Sequence, residues 1–139
     1  MRIRDVMSRD VRVARPGDTL QDVSQWMAEG DFGFVPVADG DQLVGTLTDR
    51  DITVRAVARG AGPGSSIMEF ISRDAWTLRD DDDLKVGLDL MAERQVRRAP
   101  VIDKHGRLVG VVAAPGDRRD ADLVDIGGES TRPGATRPS

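Results

Sequence analysis

The chain is one pattern written twice, and that doubling limits its possible folds more than any other feature. Sliding the sequence by 64 residues lays Ile3 on Ile67 and Ser8-Arg9-Asp10 on Ser72-Arg73-Asp74. The same shift lays Arg15 on Arg79, Leu20 on Leu84, Met27-Ala28-Glu29 on Met91-Ala92-Glu93 and Pro36-Val37 on Pro100-Val101. One extra residue near His105 moves the offset to 65, and Leu43-Val44-Gly45 then falls on Leu108-Val109-Gly110. Two copies cannot make a solenoid, which needs at least about three units to bury its faces. They suit a pair of small subdomains closing on each other about a pseudo-two-fold axis, which places candidate sites in the clefts between them.

Each copy reads as strand, helix, strand, strand, helix, an α/β (α+β) unit. In the first, Val11 and Val13 alternate with Arg12, and Pro16-Gly17 turns the chain. Asp18, with Gln21 three residues on, is the expected N-cap pair of a helix carrying Leu20, Val23, Trp26 and Met27 on one face. Gly30 is placed to end that helix. The strands Phe34-Val35-Pro36-Val37 and Leu43 to Leu47 follow, joined at Asp39-Gly40-Asp41, and a second helix is expected from Thr48 to Gly60. The second copy repeats the plan with a strand at Trp76-Thr77-Leu78, a helix start at Asp80 to Asp83, and strands Ala99 to Ile102 and Leu108 to Val112. The expected boundaries are 1–60, a Gly-rich connector over 61–66, 67–117, and a tail over 118–139.

Composition excludes several functions. With no cysteine there is neither a disulfide nor a thiolate nucleophile or metal ligand. A net charge of −4 argues against nucleic acid, whose phosphates the surface would repel. No apolar stretch approaches the roughly 20 residues of a membrane span. The start of the chain lacks the apolar core of a signal peptide, which makes the cytoplasm the expected compartment. Asp80 to Asp83 lack the alternating ligands and glycine turn of a calcium loop and read as a solvated helix start. His105, the sole histidine, reads as a surface turn residue, while Trp26 and the methionines read as core. No metal ligand set and no catalytic residues are expected.

Gly45-Thr46-Leu47-Thr48-Asp49-Arg50-Asp51 is the segment best suited to binding. It joins a strand to a helix, whose first amides are free to face an anion. Thr48 supplies a hydroxyl and Asp51 a carboxylate whose oxygens can accept both hydroxyls of a ribose. Arg50 and Arg55 are placed to offset phosphate charge. Thr-x-x-Asp is equally an ordinary capping box, and spacing alone leaves both readings open.

The doubled pattern, with Val6-Met7 before the first strand, Phe34-Val35-Pro36-Val37 in the middle and Gly45 to Asp51 at the end, resembles a cystathionine-β-synthase (CBS) domain pair, or Bateman module, over residues 1 to about 117. The resemblance implies tandem repeats packed about a pseudo-two-fold axis that sense AMP, ADP, ATP or, in some members, NAD or S-adenosylmethionine, without catalysis. It implies ribose binding by Gly45, Thr48 and Asp51 and an adenine pocket lined by Gly33, Phe34 and Val35, closed by Val11 to Val13. It makes Arg97 and Arg98 candidates for phosphate contacts across the cleft. It further implies a homodimer acting on an unidentified regulated protein, with no resident cofactor. In the second repeat Ala113 stands where the hydroxyl belongs and Gly116 where the aspartate belongs, so one good site per chain is expected.

The stretch from Ala121 to Arg137 resembles a different protein, the short signature of dihydropteroate synthase. There it is one strand and loop of a barrel of about 250 residues, which this chain lacks. The tail thus reads as a gene junction or truncation, partly disordered over 127–139, with Leu123, Val124 and Ile126 available to cover the second repeat's core edge. Three readings follow: a regulatory nucleotide-binding module, a ligand-free interaction or scaffold domain, and a fragment of a fusion with a dihydropteroate synthase-like enzyme.

Overall fold

A computed structural model describes residues 1–115, so Gly116, Asp117 and the tail expectations lie outside the described residues. Two sheets form. In the first, β1 (Phe34–Asp39) and β2 (Gln42–Thr48) are an antiparallel pair following helix α1 (Leu20–Gly30). In the second, β3 (Leu78–Arg79), β4 (Arg98–Ile102) and β5 (Leu108–Ala113) stand in the order β3-β4-β5, with helix α2 (Leu84–Glu93) between β3 and β4. A helical run over 49–59 closes the first repeat, with a π-helical stretch at Asp51–Ala56 and a 3₁₀ turn at Val57–Arg59.

The halves exchange their leading segments. Ile67 and Ile71, from the start of the second repeat, are buried in the core with Leu20, Val23, Val35 and Leu47. Ile3 and Met7, from the start of the first, are buried in the core with Leu78, Met91, Val101 and Val112. Ser72 exchanges backbone hydrogen bonds with Thr46 at 2.8 and 3.0 Å, and Ser8 does the same with Val111, both at 2.9 Å. The pairs correspond under the sequence repeat, as do the bridges Arg2 to Asp83 and Thr19 to Ser66. Gln42 and Arg107 are themselves repeat-equivalents and bridge each other antiparallel, which puts the pseudo-two-fold axis between them. The exchange needs close backbone approach: a Cβ on Gly45 would lie 2.6 Å from the Ser72 carbonyl oxygen, and one on Gly110 would lie 2.8 Å from that of Ser8.

Local chemistry corrects several expectations. The first strands are shorter than alternation suggests: Val11 to Val13 join no ladder, and only Ala14 bridges, parallel, to Val37. Ala38 N–H donates to Ala14 and Ala14 N–H to Pro36, but the next rung would need an N–H that Pro36 lacks. Pro100 imposes the same limit on the second copy, where the strand is Leu78–Arg79 rather than Trp76 to Leu78. The N-cap of α1 is Thr19, not Asp18. Thr19 and Asp22 form the reciprocal box, while Asp18 accepts from Arg15 N–H at 2.7 Å in the preceding turn. Gly30 is the last helical residue, and Asp31 takes the left-handed position with φ 56°. Trp26 is only partly buried, with the Arg12 guanidinium 4.1 Å from its ring centroid.

Candidate functional site

The candidate corner is built where β2 ends. Antiparallel register sets Thr48 opposite Phe34, and Asp49 N–H donates to the Gly33 carbonyl at 3.0 Å, which ties the strand end to the residue before β1. Gly33 is buried, while Phe34 and Thr48 are half-buried. Thr48 N–H donates to Asp51 Oδ2 at 3.0 Å, and Asp51 N–H donates to Thr48 Oγ1 at 3.0 Å. This capping box orients the Asp51 carboxylate and leaves Oδ1 facing Arg55, whose Nη1 is 3.8 Å away. That span is too long for a hydrogen bond and is held by charge.

Gly33, Phe34, Thr48 and Asp51 thus come together, with Val35 buried behind them in the core. Val11 and Val13, half-buried, precede Ala14, which bridges in parallel to Val37 of β1. Gly45 stands apart, three residues back along β2, where its bare Cα admits the Ser72 backbone. Arg50 is exposed on the first turn after β2. Arg97 and Arg98 occupy the equivalent corner of the second repeat, where Ala114 N–H donates to the Arg97 carbonyl at 2.7 Å and Arg98 pairs with Ala113. The backbone corner is therefore duplicated, but the Thr48 hydroxyl is not.

Charge elsewhere serves structure. In the acidic run, Asp82 accepts from Arg79 N–H at 2.8 Å and Asp83 caps α2 through Val86 N–H at 3.1 Å. Asp103, in the second hairpin, accepts from the His105 and Arg107 amides and from the Arg107 guanidinium. Partial burial pushes its carboxyl up, but these hydrogen bonds and the Arg107 charge outweigh it and hold the pKa lowered to about 2. Sequence reasoning missed the Asp51–Arg55 pair and the Gly33–Asp49 tie. The i,i+4 spacing of Asp51 and Arg55 was the available signal for the first.

Two interlocked α/β repeats, each entering the other's core through its leading segment, define a paired-repeat module. The CBS domain profile matches residues 3–57 and 67–114, and the chain belongs to the CBS domain family. The hypoxic response protein 1 of Mycobacterium tuberculosis is 40% identical over 111 residues, covering 78% of this chain and 77% of that protein. A crystal structure of hypoxic response protein I with two coordinated zinc ions superposes with a TM-score of 0.72 at 33% identity, over 87% of this chain and 97% of that one. The cytosolic domain of the Mg²⁺ channel MgtE in complex with ATP superposes with a TM-score of 0.66 at 27% identity, over 78% of this chain and 44% of that one. The family matches end at residue 114, and the resemblance of 121–137 to dihydropteroate synthase finds no support in these relatives. Among the described residues no three His, Cys, Asp or Glu side chains gather in a way that could hold a metal ion. Nor is any described helix long and apolar enough to cross a membrane.

Proposed function

We propose that the chain is a regulatory module that binds an adenine nucleotide of the AMP, ADP or ATP type at the Thr48–Asp51 corner. The observation that carries this reading is the Asp51 carboxylate, fixed by the Thr48 box with Oδ1 outside that box and 3.8 Å from Arg55, on the strand end that Thr48 shares with Phe34. A cis-diol donating to that carboxylate makes charge-assisted bonds, and an adenine ring fits against the Gly33–Val35 backbone. The ATP complex of a relative at 27% identity supports a nucleotide as the ligand class. The regulated state is a homodimer in the cytoplasm, joined through the closing helical run, where Val54 and Val57 are 47% and 59% exposed. Binding then biases two packings of the repeats by no more than the ligand's difference in affinity between them.

Isothermal titration with AMP, ADP and ATP tests the site. Asp51→Asn keeps an acceptor for Thr48 N–H but removes the charge, and should weaken binding about 10- to 150-fold, for a charged hydrogen bond worth about 1.5–3 kcal/mol. A loss below about threefold would refute the ribose role. A second reading, a scaffold domain without ligand, is favoured by the same box, since the Thr48 hydroxyl and Asp51 Oδ2 are already used in capping. It predicts no heat with any nucleotide and an unchanged melting temperature.

A further inference from the structure

Residues 9–13 form a strap between the two halves. At one end Ser8 exchanges backbone hydrogen bonds with Val111 of β5, and at the other Ala14 N–H donates to the Pro36 carbonyl of β1. Among the described residues no backbone group of 9–13 bonds to another backbone group, so side chains set the strap's position. Val11 and Val13 are half-buried, and the exposed Arg12 lays its guanidinium 4.1 Å from the ring centroid of Trp26 on α1. No carboxylate among the described residues pairs with Arg12, which leaves the guanidinium to the ring. The second repeat has the same tie with the roles exchanged. Trp76 stands 64 residues on from Arg12, and Arg94, at the C-cap of α2, holds its guanidinium 5.3 Å from the Trp76 centroid. At equivalent places, each lead-in to a repeat meets the helix that follows it through one cation and one aromatic face.

The geometry points to Arg12 and Trp26 as positioning residues, whose stack holds the 9–13 strap against α1 and so sets Val11 and Val13 as one wall of the nucleotide corner. The inference rests on the nucleotide reading above and deepens it. The strap runs into Ala14, which is tied to β1, the strand whose first residue, Phe34, faces Thr48 at the corner. Arg12 and Trp26 act through that strap and not on the ligand. The wall exists only in the fraction of molecules with the strap in place, and apparent affinity scales with that fraction. A guanidinium on a half-buried ring is a modest contact, enough to shift the fraction about two- to fivefold.

The test is isothermal titration of AMP, ADP and ATP against wild type, Arg12→Ala, Arg12→Lys, Trp26→Leu and the Arg12→Ala/Trp26→Leu double variant, with thermal melts to confirm folding. Trp26→Leu gives α1 the residue type that α2 carries at the equivalent place, Leu90, so the helix keeps an apolar side chain there. Arg12→Ala and Trp26→Leu should each weaken the best-bound nucleotide about two- to fivefold, and the double variant should be no weaker than the worse single. Arg12→Lys should keep most of the affinity, because it keeps the cation. A ligand-free signature comes from the Trp76→Phe background, which keeps a ring under Arg94 and leaves Trp26 as the one fluorophore. There Arg12→Ala should redden the Trp26 emission and strengthen its quenching by acrylamide. If both single variants bind within about 1.5-fold of wild type, or if their losses add in the double variant, the stack does not position the strap. Unchanged Trp26 emission and quenching would overturn it as well. Failure of the underlying reading looks different: wild type then gives no heat with any of the three nucleotides while Arg12→Ala still alters Trp26, and the role at the corner falls with it.

Discussion

Replacing Gly45 with alanine should unlock the exchange of leading segments that holds the two repeats together. The added Cβ would stand 2.6 Å from the Ser72 carbonyl oxygen, 3.0 Å from Ile71 Cδ1 and 3.2 Å from the Ser72 carbonyl carbon. Two of those atoms are backbone, so no rotamer change relieves the contact and the segment around Ser72 must move. Movement stretches the two hydrogen bonds between Thr46 and Ser72, each worth about 1 kcal/mol net. Overpacking a filled interior adds about 1–3 kcal/mol, for a total near 2–4 kcal/mol and a fall in melting temperature of roughly 10 °C. Gly110→Ala, which meets Ser8 and Met7 in the equivalent place, should cost a similar amount. Gly62→Ala is the control: nothing lies within 4 Å of its Cβ and its φ is not left-handed, so it should stay within about 0.5 kcal/mol. Urea unfolding read by tryptophan fluorescence measures all three, with Trp26 beside one core and Trp76 beside the other. If Gly45→Ala costs no more than Gly62→Ala, the close approach that defines the exchange is wrong.

Two further outcomes follow from local chemistry. The Asp103 carboxyl should titrate near 2 by carboxyl-carbon NMR, and Arg107→Ala should bring it partway back toward the ordinary 3.8, since the His105 amide still donates. Because the folded value is the lower one, the hairpin's contribution to stability is complete above about 3.8 and is lost as pH falls toward about 2; a titration near 3.8 would refute the turn's hydrogen bonding. Gln95 holds φ 57° just after α2, a conformation that glycine adopts without steric cost. Gln95→Gly should therefore raise stability by about 0.5–1 kcal/mol in chemical denaturation, and destabilisation would show that the side chain contributes more than its backbone strain costs.

The doubled pattern made the fold legible because repeated residues recur at places where packing demands them: Ile3 and Ile67 each sit at 0% exposure in a core. The same pattern also held the exchange, although a single sequence shows only that Ile67 repeats Ile3, not that each is buried in the other's half. Cap positions slipped by one because Asp18 and Thr19 are both good cap residues, and the choice rests on Asp22 as the reciprocal partner. Strand lengths were overestimated because alternation records which residues are buried, whereas the ladder also needs an N–H that Pro36 and Pro100 cannot give. At the site, Thr-x-x-Asp was readable as a cap or as a ribose contact. The structure forms the box in full through Oδ2 and leaves Oδ1 outside it, facing Arg55, so capping does not use up the carboxylate. The π-helical stretch carried no sequence signal, since its hydrogen bonds shift by one residue without changing which residues are apolar.

A symmetric frame carrying an asymmetric corner suits a sensor. Both repeats keep the backbone tie before the mid-repeat strand, Gly33 to Asp49 and Arg97 to Ala114, so the frame is duplicated down to single hydrogen bonds. The first repeat flanks the tie with the Thr48 hydroxyl and the Asp51 carboxylate, whereas the second repeat's sequence has Ala113 and Gly116 at those positions. On the proposed reading, a ligand on Asp51 would therefore pull on one side of a pseudo-two-fold frame. From that corner the strain has a short covalent and hydrogen-bonded path: along β2 from Thr48 to Thr46, across to Ser72, and on to Ile71 in the same core. The segment from Ile67 to Ser72 leads directly into the second repeat, so a shift of β2 moves the entry of the other half. Had each repeat folded only on itself, the connector over 61–66 would have to carry that signal, and a Gly-rich linker transmits little. The exchange of leading segments, rather than the connector, is thus the route by which a proposed ligand signal would pass between the halves.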